Sequence, residues 1–225
     1  MPSYTYFIGS MVAFAIWCLL FYHRRDLRKK MLIMSITLGI MSLILEAFVW
    51  TQDWWRPMTI TGTLVGIEDI ICNFSIAGII AVIYEEVFKK KIAYRAHKPN
   101  TQQLVMFLLS GIITPNLLFF VYHIHSFYAS IAGMLLPALC ILFLRKDLVP
   151  VAFWTGIFGL LVGYLIAGTM YLIQPGYVHQ WWLLTRLSGI LVFGLPLEDA
   201  LWFFVAGLLV GPLYEFWQGA VLVHK

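Results

Sequence analysis

Apolar residues run along this chain in seven long blocks, with polar and charged residues gathered in the short breaks between them. The blocks are roughly 4–22, 31–50, 59–88, 104–122, 127–144, 149–173 and 183–217. A bilayer core takes about 20 helical residues to cross, so each block predicts one membrane helix. The third and seventh are too long for one straight crossing and are expected to tilt, break or project beyond the lipid. The predicted fold class is all-α: a polytopic membrane helical bundle of about seven transmembrane helices, one membrane domain over 1–225.

Composition agrees. The chain is 61% hydrophobic and 12% charged, with a mean hydropathy of +0.86. Soluble domains carry about 25% charged residues, and the apolar blocks leave no length for one here. The basic residues set an expected orientation. Arg24, Arg25, Arg28, Lys29 and Lys30 follow the first block; Lys89, Lys90, Lys91, Arg95 and Lys98 follow the third; Arg145 and Lys146 follow the fifth, and Lys225 is last. Of the 15 Lys and Arg, this leaves only Arg56 and Arg186 on the other side. The positive-inside rule then puts the N-terminus outside and the C-terminus in the cytoplasm of a prokaryotic cell membrane. No cleavable signal peptide is expected, because the first block has its basic flank after it and not before. The net charge of +4 needs no nucleic acid to explain it, and no nucleic-acid motif is present.

The blocks repeat. "RRDLRKK" from Arg24 and "RKDLVPV" from Arg145 close the first and fifth blocks, while Trp54-Trp55 precede the third and Trp181-Trp182 the seventh. "IEDIICNFSIAGIIAVIYE" from Ile67 matches "LEDALWFFVAGLLVGPLYE" from Leu197, 130 residues on. The expected organisation is a parallel 3+1+3 internal repeat: repeat one over about 1–103, a connector span over about 104–122, and repeat two over about 123–225. Such repeats place sites between the halves, near mid-membrane.

Each repeat carries two acids inside apolar sequence: Glu68-Asp69 and Glu198-Asp199. A carboxylate at the centre of a membrane helix costs roughly 2.5–3.5 kcal/mol on insertion scales, which makes each a candidate site residue. The competing structural reading is that Glu198 and Asp199, following Gly194 and Pro196, complement the dipole of a half-helix. Glu46 reads equally as a third site acid or an interfacial residue. Glu85, Glu86 and Glu215 read as interfacial charges beside lysines, Asp26 and Asp147 as turn partners, and Asp53 as a solvated loop residue. Trp50, Trp54, Trp55, Trp181 and Trp182 fit an interfacial aromatic belt. Cys18, Cys72 and Cys140 have no metal or disulfide spacing and read as small buried hydrophobes. The histidines form no HExxH or Cys/His cluster, so no metal is expected, and no nucleotide-binding loop predicts a cofactor.

"PLEDALWFF" from Pro196, "DWW" from Asp53 and "IEDIICNF" from Ile67 resemble the small integral-membrane lycopene cyclase family, of heterodimeric or fused-repeat type. Its Pro-x-Glu-Glu/Asp motif falls on Pro196, Glu198 and Asp199. In the first half it falls on Glu68 and Asp69, with Gly66 in place of proline and Asn73 where the second half has Phe203. The resemblance implies redox-neutral, acid/base-catalysed ring closure on a hydrophobic carotenoid, with no cofactor. A proton adds to the terminal double bond, the cation closes a six-membered ring, and a base removes a proton. The implied catalytic residues are Glu198 as donor, with Asp199, Glu68 or Asp69 as balancing carboxylates. Pro196, Trp202, Phe203, Asn73 and Glu46 are the implied substrate-binding residues, the aromatic faces serving to stabilise a carbocation. The expected partners are the lipid bilayer, other carotenoid-pathway enzymes or a second copy of the chain. A competing class is a small repeat transporter with proton-coupled intramembrane acids. A retinal photoreceptor is set aside, since the seventh block contains no lysine for a Schiff base.

Overall fold

The computed structural model describes residues 4–94 and 99–224. Arg95, Lys98 and Lys225, counted above for orientation, and His97 fall outside the described residues. Seven helices carry the fold: α1 Thr5–His23, α2 Arg28–Leu45, α3 Ile67–Val87, α4 Thr101–Phe120, α5 Ser126–Leu144, α6 Val149–Ile173 and α7 Leu197–Gln218. Each is long and apolar enough to cross a membrane. The protein is an all-α membrane bundle. α2 continues through a π-helical turn, Glu46–Trp50, and a last helical turn, Thr51–Asp53.

The two over-long blocks both break rather than tilt. α3 begins only at Ile67, after a loop over 59–66 that ends at an extended Gly66. α7 begins at Leu197, after Pro196 presets the entry. Residues 183–196 ahead of it are as apolar as a helix but form a loop closed by two short strands, Leu191–Val192 and Leu195–Pro196. Phe193 and Gly194 join them with φ of 49° and 82°. A two-residue turn with both φ positive matches the right-handed twist of the strands it joins.

The two halves pack in matched fashion. α2 lies on α3 as α6 lies on α7, and α1 meets α3 as α5 meets α7. Small residues let the α6 and α7 backbones touch. A Cβ on Gly207 would meet the Thr155 carbonyl at 2.5 Å and Gly156 Cα at 2.6 Å. Lipid offers apolar side chains as good an environment as another helix does, so close packing of this kind supplies much of the attraction between membrane helices. α4 sits at the periphery, with only Gly111 and Pro115 buried along its length.

At one end of the bundle the basic turns are tied down. Arg24 and Arg145 pair with Asp26 and Asp147, at 2.8 and 2.6 Å. Strands Lys90–Ala93 and Val221–His224 pair beside them. Lys30, expected at the interface, is instead fully buried between α2, α3 and α7. Its Nζ meets Glu85 Oε1 at 2.6 Å and the Glu215 oxygens at 2.8 and 2.9 Å. Glu85 and Glu215 are therefore buried ion-pair partners that join the two halves, not interfacial charges. Glu86 does pair at the surface, with Lys89 and Arg24. Cys18 and Cys140 are exposed on the bundle's apolar exterior, and of the three cysteines only Cys72 is buried.

Candidate functional site

At the opposite end, the chain strands that follow α2 and precede the loop 183–196 meet across the two halves. Trp55 and Trp182 form an antiparallel bridge, Leu183 N donates to Trp54 O at 2.9 Å, and Arg56 N donates to Trp181 O at 2.6 Å. This pins four tryptophans inward. Trp50, Trp54, Trp181 and Trp182 are all buried, so they form no lipid-facing belt; Trp55 packs on Trp182 and on Tyr6. Asp53 is no loop residue either. It ends the helix that carries Glu46, and its Oδ2 accepts Ser126 N at 3.1 Å, capping α5.

Beneath this layer lies a cavity of about 100 Å³ between α1, α3, α6, α7 and the end of α2. That is comparable with the roughly 150 Å³ hole that admits a benzene ring in an engineered core. Its walls are largely aromatic and aliphatic: Trp50, Trp54, Trp202 and Phe203 on one side, Ile166 and Met170 on another. Gly163 has no side chain because the Phe203 ring occupies that space; a Cβ there would lie 2.5 Å from it. Trp50 and Trp202 meet edge to face at 5.5 Å, and Trp202 and Phe203 at 5.3 Å.

The polar groups in these walls are few. Asp199 reaches the cavity, and its Oδ1 accepts the Trp54 indole N–H at 2.8 Å. Tyr6, Cys72 and Asn73 line the side that belongs to the first half. Behind them stand two more acids. Tyr6 Oη donates to Asp69 Oδ1 at 2.6 Å, and Asn73 Nδ2 donates to Glu46 Oε2 at 2.8 Å. Glu46 and Asp69 stand close enough to interact electrostatically. The π-helical turn that begins at Glu46 shifts it out of register with the rest of α2; such turns are frequent at functional sites. Nearby Tyr177 stays a neutral phenol, since burial pushes its pKa up and the neighbouring Asp199 adds to that.

A family described as lycopene cyclase matches residues 3–88 and 125–217, most of the chain. The chain belongs to the lycopene cyclase family. The unmatched stretch between those segments contains α4. No curated protein and no solved structure shows significant similarity to the chain.

Within this lycopene cyclase family member the four paired acids are not equivalent. Of the second acids, Asp199 lines the cavity, whereas Asp69 stands behind Tyr6 and does not; the first acid of each pair turns toward the loop ahead of its helix. Glu68 Oε1 accepts the N–H of Ile60, and Glu198 Oε1 accepts that of Ser188 at 2.7 Å. Neither glutamate lines the cavity, and nor does Pro196. The Gly66/Pro196 difference also has a direct consequence. Gly66 has an N–H, which Asp69 Oδ2 accepts at 2.6 Å, so both Asp69 oxygens are bound. Pro196 has none, so no N-cap N–H engages Asp199 and its side chain is left to the cavity. Among the other expected residues, Trp202, Phe203 and Asn73 line the cavity, and Glu46 stands one hydrogen bond behind it. Tyr6, Trp54 and Trp182 also line the cavity, and none of them was among the expected site residues. The "DWW" string held the only signal for Trp54, and Tyr6 had none.

Proposed function

We propose that this protein is a carotenoid cyclase that closes a six-membered ring at one end of a membrane-dissolved polyene such as lycopene. The observation that carries the reading is Asp199: a carboxyl standing in an aromatic cavity of ring size, held by one indole N–H. A linear hydrocarbon end enters among Trp50, Trp202, Phe203 and Met170. A proton from the Glu46–Asp69 side is delivered to the terminal double bond. Two carboxyl groups close together away from water hold a proton between them, which suits that pair to the donor role. The tertiary cation is attacked by the next suitably placed double bond; one carbon–carbon bond forms and the charge moves to a ring carbon. The aromatic faces stabilise it on the way. Asp199 then removes a ring-side proton to leave a double bond. One proton enters and one leaves, no electrons are transferred, and the product is an isomer of the substrate.

The same reading holds that the halves descend from one duplicated three-helix unit with α4 as connector, and that the basic end faces the cytoplasm. The cavity then lies in the outer half of the membrane. The test is expression in a bacterial host that accumulates lycopene, with pigments separated by chromatography. A new ringed carotenoid of the same mass is expected. Unchanged lycopene with the protein present in the membrane overturns the reading, and uptake of a polar solute instead would favour the carrier class.

A further inference from the structure

Each half of the chain repeats one contact that the chemistry above does not use. Ahead of α3 the loop 59–66 folds back so that the N–H of Ile60 meets Glu68 Oε1. Ahead of α7 the loop 183–196 does the same: the N–H of Ser188 meets Glu198 Oε1 at 2.7 Å. The bonds span eight and ten residues, so they are not the short-range caps that any helix N-terminus makes. Both glutamates are buried, at 0% and 3% exposure, and the second oxygen of each has no hydrogen-bond partner among the described residues. Neither lines the cavity, although Asp199 beside Glu198 does. The second loop matters directly to the site. Trp182 just ahead of it and Leu195 at its end both line the cavity, and the Tyr164 hydroxyl holds its Val192 carbonyl at 3.0 Å.

We propose that Glu68 and Glu198 are positioning residues that clamp the loops ahead of α3 and α7, the second of which borders the cavity, and that these two glutamates do not carry the proton chemistry. This rests on the cyclase reading. A loop N–H needs only an oxygen acceptor, so an amide serves as well as a carboxylate; a proton-transfer group cannot be replaced that way. Adjacent helical residues point about 100° apart, which is how one dipeptide supplies a clamp outward and a reacting group inward.

Purified Glu198→Gln, Glu198→Ala and Asp199→Asn proteins in lipid vesicles, assayed on lycopene, test the assignment. Two readouts are taken: kcat and KM across pH, and the rate of tryptic cleavage after Arg186, which lies in the loop. Glu198→Ala is expected to raise KM by about tenfold and to speed cleavage at Arg186, matching the loss of one hydrogen bond worth ~1–1.5 kcal/mol. Glu198→Gln is expected to restore both, with the wild-type shape of the pH profile. Asp199→Asn is expected to lower kcat by roughly 100-fold or more with cleavage as in wild type. A Glu198→Gln protein as inactive as Asp199→Asn, with its loop still protected, overturns the proposal. If wild type closes no ring, the cyclase reading fails by itself, and the cleavage rates of the two Glu198 variants still decide whether the clamp exists.

Discussion

Replacing Lys30 by Met should destabilise the protein more than any other single change at the basic end. The ammonium is 1% exposed and sits between two carboxylates that are 0% exposed, at 2.6 to 2.9 Å. Removing it leaves two buried acids facing each other with no cation. Breaking a buried ion pair from one side costs about 3–5 kcal/mol, because the remaining charge is left uncompensated. For chains of 150–250 residues each kcal/mol moves the thermal midpoint by roughly 2–4 °C, so the expected drop is about 6–20 °C. The assay is thermal unfolding of the purified protein in detergent, followed by tryptophan fluorescence at one heating rate. The triple variant Lys30→Met, Glu85→Gln, Glu215→Gln is the informative control. It removes every charge together, and neutral replacement of a whole buried cluster is often tolerated. Most of the lost stability should return. A Lys30→Met midpoint within about 2 °C of wild type, or a triple variant less stable than the single one, would refute the reasoning.

Two further changes probe packing. Gly207→Ala must push α6 and α7 apart, since its Cβ would meet backbone atoms at 2.5 and 2.6 Å; a loss of about 1–3 kcal/mol should appear as a lower midpoint. Gly168→Ala meets nothing within 4 Å and should leave the midpoint unchanged or slightly raised, which controls for helix propensity. Gly163→Ala should displace the Phe203 ring toward the cavity, raising KM for a polyene with little effect on folding; an unchanged KM in steady-state assays would separate that ring from substrate binding.

Much of the fold was legible because membrane helices must be long, apolar and few in kind. Gly194 and Pro196 also marked an interruption in the seventh block, while the third was expected only to tilt, break or project. Where they break was hidden, because loop residues such as Leu183, Leu184, Ile190 and Leu191 are as apolar as the helix they precede. The buried Lys30–Glu85–Glu215 cluster was hidden for a different reason. Lys30 ends a basic run, and such runs are read as orientation signals; only the crossing of α2, α3 and α7 shows that Lys30, like Arg24 in the same run, is buried. The tryptophans illustrate the same limit. Composition near a membrane boundary predicts an aromatic belt, yet the bridge between Trp55 and Trp182 turns their neighbours into the cavity wall. At the site, the acidic pairs stood out by their cost in hydrocarbon. That Asp199 and not Glu198 lines the cavity goes with a loop that folds back by ten residues, a relation that helical periodicity does not contain.

The central claim is that Asp199, in a cavity shared by both halves, takes part in a redox-neutral ring closure. The most direct measurement is the conversion of lycopene by the purified protein in lipid vesicles, without oxygen or any added electron carrier, beside its Asp199→Asn variant. Wild type should give a ringed product of unchanged mass, and the variant should react at least about 100-fold more slowly. A product of altered mass, a requirement for an electron acceptor, or equal rates from the two proteins would contradict the claim.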